Sequence, residues 1–148
     1  MVCMPRPGWG LGFLLALQAP MLAQAPPAPP PVPKVELKEN FPNPFFPSTT
    51  IPFDLFPEAC SGNHQPTVSL KVYNVLVQVI AVPTLTGDAP ARVDNLKLRC
   101  GEYRAFWDGK LLDGRRDVTP GVYYYQLVVD GQRYTRKMIV QRKVTSEK

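Results

Sequence analysis

A chain of 148 residues, 45% apolar and 20% charged, has the length of one ordinary domain and a composition that can build its core. Its formal charge of +5 is modest. Basic residues are spread through strand-like sequence except for a cluster at Arg133, Arg136, Lys137, Arg142, Lys143 and Lys148, so no nucleic-acid surface is expected.

At the amino terminus, "MVCMPRPG" carries Arg6 and no acid, "WGLGFLLAL" is an apolar run, and "APMLAQA" offers small residues at Ala23 and Ala25. That is the pattern of a secretory signal peptide, assigned to 1–25. The run from Trp9 to Leu17 is well short of the ~20 residues a helix needs to span a bilayer, so no membrane span is expected in the mature form. Residues 26–37 follow as a spacer, in which "PPAPPPVP" favours extended polyproline II. Loss of the leader would remove Cys3. Cys60 and Cys100 would remain in a chain bound for an oxidising compartment, either bridged or as two buried thiols.

The stretch "NFPNPFFPSTTIPF", from Asn40 to Phe53, holds four prolines and four phenylalanines in fourteen residues. Pro42, Pro44 and Pro47 each fix φ and move the preceding residue out of the helical region. The preset path would deliver Phe41, Phe45 and Phe46 as apolar plugs closing one end of the fold. Asn40 and Asn43 would hold the turns through side-chain bonds to nearby backbone. A strand is expected from about Thr49, and Pro52 within it, having no donor, suggests a sheet edge.

Farther along, "TVSLKVYNV" sets Val68, Leu70 and Val72 on one face, and "LVQVIAV" continues the strand signal until Pro83. "RVDNLKLR" and "EYRAFW" are short alternating stretches, with Phe106 or Trp107 as a core plug. Asp108-Gly109, Asp113-Gly114 and Pro120-Gly121 mark turns. In "VYYYQLVVDGQRYTRKMIVQ", Asp130-Gly131 separates two alternating runs and predicts a tight hairpin with Tyr123, Tyr125, Leu127 and Val129 inward and Tyr124 outward. About seven short strands in the rest of the chain predict an all-β antiparallel β-sandwich, with 144–148 as a polar tail.

Sites for chemistry are sparse. His64, the only histidine, lies in turn-like "SGNHQP" and is expected to be solvated. Asp108, Asp113 and Asp117 lack the dense ligand spacing of a calcium hand and are better explained by turn formation. No Cys-x-x-Cys, phosphate loop or nucleophile elbow occurs. Neither an enzyme nor a cofactor is expected.

Taken in order, "NFPNPFFPSTTIPFDL", "VSLKVYNVLVQVIAV", "FWDGKLLDG" and "PGVYYYQLVVDGQRYTRKMIV" resemble the Ig-like sorting domain of secreted bacterial proteins, the module of type IX secretion, which is similar to the Ig-like domain of the flagellar hook-capping protein. The resemblance covers about residues 38–143 and implies that they form an Ig-like antiparallel β-sandwich domain. Its motif positions are Asn40, Pro42, Asn43, Pro44, Phe45, Trp107, Asp108, Gly109, Gly121, Tyr123, Lys137 and Met138. Phe46 stands where the family's "NPFNP" has asparagine, and Pro83–Gly101 is longer than its usual hairpin. On these boundaries the mature chain would hold little besides the domain. The resemblance implies a non-catalytic, secreted or cell-surface domain acting in secretion sorting or surface attachment, with secretion machinery or an envelope component as protein partner. The alternative is a structural or adhesive subunit that binds a protein through an edge strand.

Overall fold

The computed structural model describes residues 25–143 together with Gly8, Gly10 and Gly12. Apart from Ala25 and those glycines, the leader expected at 1–25 lies outside the described residues, as does the tail at 144–148. The chain divides into two units, Met1–Pro30 and Pro31–Lys148. In the first, residues 25–30 have no regular structure and are exposed. No helix among the described residues is long and apolar enough to cross a membrane.

The second unit is built from β1 (Val35–Leu37), β2 (Thr49–Leu55), β3 (Thr67–Tyr73), β4 (Val79–Ala81), β5 (Thr84–Leu85), β6 (Ala91–Arg92), β7 (Leu96–Lys97), β8 (Gly101–Trp107), β9 (Gly121–Val129) and β10 (Gln132–Val140). One sheet runs β1-β2-β8-β5-β6, and the other β10-β9-β3-β4 with β7 also on β3. All strand pairs are antiparallel. The result is an all-β sandwich. Since β5, β6 and β7 have two residues each, seven strands carry most of it.

Alternation explains which side of each strand faces in. One layer contributes Ile51, Phe53, Leu55, Ala105 and Trp107, and the other Val68, Leu70, Val72, Tyr125, Leu127 and Met138, all buried. Parity settles the plug of β8. Trp107 shares a face with Ala105, whereas Phe106 points outward and is exposed. Asp130 and Gly131 have φ of 48° and 83°, the left-handed pair that a type I′ turn needs, and β9 and β10 pair without a break from Gln132↔Val129 to Val140↔Gly121.

Four expectations are corrected. Residues 35–37, placed in the spacer, form β1, because Val35 and Leu37 alternate with Glu36 and bury on the core while pairing with Leu55 and Phe53. Pro52 does not mark an edge, since β2 lies between β1 and β8. The missing donor ends the β1 ladder there instead. Lys38 N donates to Pro52 O at 3.0 Å with no bond in return, and pairing resumes only at Phe41↔Thr50. Nor does "LVQVIAV" continue as one strand. Asn74 Oδ1 accepts from the N–H groups of Leu76 and Gln78, both at 3.0 Å, bending the chain into a turn, so that only Val79–Ala81 pairs back on β3. Finally, Phe45 alone of the three phenylalanines is a full plug. Phe46 is half-buried, and Phe41 is 75% exposed.

Cys60 and Cys100 are bridged, with Cα atoms 5.9 Å apart. The bond ties the 3-10 turns of Pro57–Asn63 to the start of β8 and closes a loop of sequence separation 40, worth about 4 kcal/mol on chain-entropy grounds. Phe45 meets Trp107 edge-on at a centroid distance of 5.4 Å and is fully buried. Replacing Phe45 with alanine is expected to cost about 3–5 kcal/mol and to lower the melting temperature by roughly 10–20 °C, read by circular dichroism. An unchanged value would contradict its role as plug.

Candidate functional site

The motif positions converge on one end of the sandwich, opposite the disulfide. The proline-rich path runs beside the end of β10 through a parallel bridge between Phe45 and Val140. Phe45 N donates to Ile139 O at 3.0 Å, Gln141 N donates to Phe45 O at 2.9 Å, and Ile139 N donates to Asn43 Oδ1 at 3.1 Å. Asn43, expected to bond nearby backbone, instead holds a neighbouring strand, and its amide nitrogen reaches only the Glu39 side chain, at 3.2 Å.

The turn after β8 is fitted to the same path. Trp107 Nε1 donates to Lys110 O at 2.8 Å, and Lys110 N to Asp108 Oδ1 at 3.0 Å. Between them Gly109 has φ of 74°, and a Cβ there would stand 2.1 Å from Pro47 O. Only glycine suits both demands. Behind the path, Asn40 Nδ2 donates to Pro42 O at 3.1 Å and Thr49 Oγ1 at 3.0 Å, while Asn40 N donates to the Tyr125 hydroxyl at 3.0 Å. Met138 is buried, Gly121 opens β9, and Tyr123 donates its hydroxyl to Thr119 O at 2.8 Å. Pro42 and Pro44 are exposed elbows. These motif positions build one structural joint, and Lys137 stands apart on the outer face.

Loop polar groups serve turns. Asp113 accepts from the N–H groups of Arg115 and Arg116 and from Arg116 Nε, and the Arg115 N–H above all holds its carboxyl down at about 2. Asp117 pairs with Lys110 Nζ. His64, expected to be merely solvated, is half-exposed with Nε2 2.7 Å from Asp130 Oδ2. The other Asp130 oxygen accepts from Thr67 N at 3.0 Å, and that N–H, then His64, lowers the Asp130 carboxyl. Among the described residues no group of three or more His, Cys, Asp and Glu is placed to hold a metal ion.

What remains is the outer face of the β3-β9-β10 sheet, together with its edge. Across it Tyr73 stands opposite Tyr124 and Tyr124 opposite Lys137, with Val122 opposite Ile139 on one side and Lys71, Gln126 and Thr135 in register on the other. Tyr124 is outward as alternation demands. Beside it a cleft of about 390 Å³ is lined by Tyr73, Val75, Val77, Tyr124 and Arg133 among others. Its wall is the Asn74–Gln78 turn, where Val75, Leu76 and Val77 are 66%, 73% and 77% exposed. Val77 has φ of 60°, a left-handed conformation that costs a β-branched residue on the order of 1–3 kcal/mol. The Asn74 side chain holds it there, through the bonds to Leu76 and Gln78 N–H and through Asn74 Nδ2 to Gln78 Oε1 at 2.8 Å.

The edge is β10. On its outer side Ile139 and Gln141 pair with the proline-rich path, leaving the Arg133–Lys137 segment without a strand partner among the described residues. Arg136 falls at an inward position opposite Tyr125 and reaches across the opening, its Nε donating to Leu37 O at 2.6 Å. Sequence reasoning missed this bond and the turn at Asn74. A charge at an inward position of an edge strand was the available signal for the first.

No protein-family model matches the chain, and searches of curated proteins and of solved structures likewise return no match.

Gly109→Ala is expected to destabilise by more than the ~1 kcal/mol of a φ penalty alone, since Pro47 and the path beyond it must shift. Urea denaturation checks this, and a wild-type midpoint would contradict the close approach. For Asp113 the folded carboxyl lies below its ordinary 3.8, so its stabilising contribution is present above about 3.8 and lost as pH falls through about 2. Carbonyl NMR titration should place its midpoint near 2, and a midpoint near 4 would remove the argument.

Proposed function

We propose that this chain is an exported, non-catalytic Ig-like domain that acts in secretion sorting or cell-surface attachment by binding a protein partner. The observation that carries the reading is that three of the four sorting-domain motif stretches meet in one joint, where Asn43, Phe45, Trp107, Gly109 and Met138 lie around the end of β10. The Cys60–Cys100 bridge supports an oxidising destination.

The alternative, a structural or adhesive subunit that adds a partner strand, draws support from the open edge of β10, which takes the place of β2 in that role. Its Arg133, Arg136 and Lys137 also suit protection of an edge against aggregation, so this reading stands second.

The sorting reading is tested by fusing residues 26–148 behind a signal peptide and a reporter in a host with the matching secretion system. The domain is expected to carry the reporter to the cell surface or medium. A reporter that stays periplasmic with or without it would sink the sorting role. A monomer that binds no envelope fraction would count against the adhesive one.

A further inference from the structure

We infer that the open edge of β10 takes up an acidic strand of a protein partner, one that carries two acids flanking an aromatic residue at alternate positions. This rests on the adhesive reading and names the partner's chemistry. Val129 and Gln132 flank the two-residue turn and form a hydrogen-bonded pair, so the even-numbered residues of β10 turn their N–H and C=O groups to β9. The odd-numbered ones turn theirs outward. At the far end those of Ile139 are taken, its O by Phe45 N and its N by Asn43 Oδ1. Arg133, Thr135 and Lys137 have no such partner among the described residues, which leaves a row of donors and acceptors in line for a further strand.

The side chains of the same three residues lie on the outer face, where those of an antiparallel neighbour would stand ~5 Å away. β10 carries the cations Arg133, Arg136 and Lys137 and no acid. None of these cations is in an ion pair among the described residues. The acids Glu39, Asp94 and Asp130 are engaged elsewhere, with Asn43, Lys71 and His64. Arg136 faces the other way, and its bond to Leu37 O closes the seam, so the inner side asks nothing apolar of an added strand.

Charge decides the occupant. A second copy pairing two-fold about Thr135, the register that uses the whole open segment, would set Arg133 against Lys137 at both ends, and like charges directly opposite are destabilising. An acid opposite each cation reverses the sign. Protection against aggregation and recognition are then one property, since the edge rejects itself and accepts an acidic strand. Between the two cations stands the short Thr135, whose Oγ1 accepts from Gln126 Nε2 at 3.0 Å. It lines the cleft together with Arg133, Tyr73, Tyr124 and Val77. A partner side chain opposite Thr135 has that cleft beside it, and an aromatic ring there meets two tyrosines and an aliphatic wall.

The test is titration of the full chain with a synthetic peptide containing Glu-x-Tyr-x-Glu and with its Lys-x-Tyr-x-Lys counterpart, read by fluorescence anisotropy and by amide hydrogen exchange. The acidic peptide is expected to bind about tenfold or more tightly than the basic one, from two reversed charge pairs, and added salt should narrow the difference. On binding, the amides of Arg133, Thr135 and Lys137 should become protected, while those of Tyr134 and Arg136, already turned to β9, stay as they were. Thr135→Pro removes an outward donor without touching the β9 ladder and should abolish binding. Should that variant misfold, Arg133→Glu with Lys137→Glu is expected to reverse the peptide preference. Equal affinity for both peptides, no binding of either, or binding without the alternating protection overturns the inference. So does protection of the same three amides before peptide is added, which would mean that another part of the chain or a second copy already covers the edge. If neither peptide binds but the chain still binds an envelope fraction, the adhesive reading stands and this partner alone falls.

Discussion

A proline in a β-ladder leaves one carbonyl without its donor, and here that carbonyl joins the two sheets. Lys38 N donates to Pro52 O at 3.0 Å, but Pro52 has no N–H to offer Lys38 O. The Tyr125 hydroxyl, rising from the opposite sheet, supplies it at 2.8 Å and accepts from Asn40 N at 3.0 Å. Burial pushes the Tyr125 phenol up despite the Asn40 bond, which keeps it a donor. One hydroxyl thus satisfies two backbone groups of the bulge between β1 and β2.

The rest of the motif end depends on that bulge. It turns Asn40 inward, where its amide nitrogen holds Pro42 O and Thr49 Oγ1 together and starts the proline-rich path. Asn40 Oδ1 remains buried without a hydrogen-bond partner. Such an orphan costs roughly 1–3 kcal/mol, which the two donated bonds and the backbone bond to Tyr125 offset. From there the path brings Phe45 onto Trp107 and Pro47 against Gly109. Arg136 acts on the same seam, since its bond to Leu37 O ties β10 to the end of β1 and so adds a second link between the sheets beside that of Tyr125.

Elements governed by local rules were legible in the sequence. Alternation identified the inward sets of β3 and β9, and Asp130-Gly131 identified the hairpin, because both follow from the side-chain period and from φ. The turn at Asn74 was not, since a run of valine, leucine and isoleucine is strand-like until one asparagine captures two backbone donors. Pro52 misled for a related reason. A missing donor demands an accommodation, and an edge is one solution while a tyrosine from the facing sheet is another that only tertiary structure reveals. Phe41 and Phe45 are alike in sequence, but only Phe45 lies where the path pairs with β10. The two cysteines stood in turns compatible with a bridge or separate thiols, and only their spatial approach decided between them.

Motif and surface answer different questions in this molecule. Asn40, Phe45, Trp107, Gly109 and Met138 are required by packing and backbone geometry, and a fold with this proline-rich entry would need them whatever it bound. Nothing in the core requires Val75, Leu76 and Val77 to be aliphatic, or Tyr124 and Lys137 to stand in one row. Those positions face outward, where polar residues would serve the fold equally well, and the turn beside them carries backbone strain. Structural need therefore accounts for the motif end but not for the outer face. That excess over what folding demands makes the outer face a surface available for contact, while the motif joint supplies the frame that presents it.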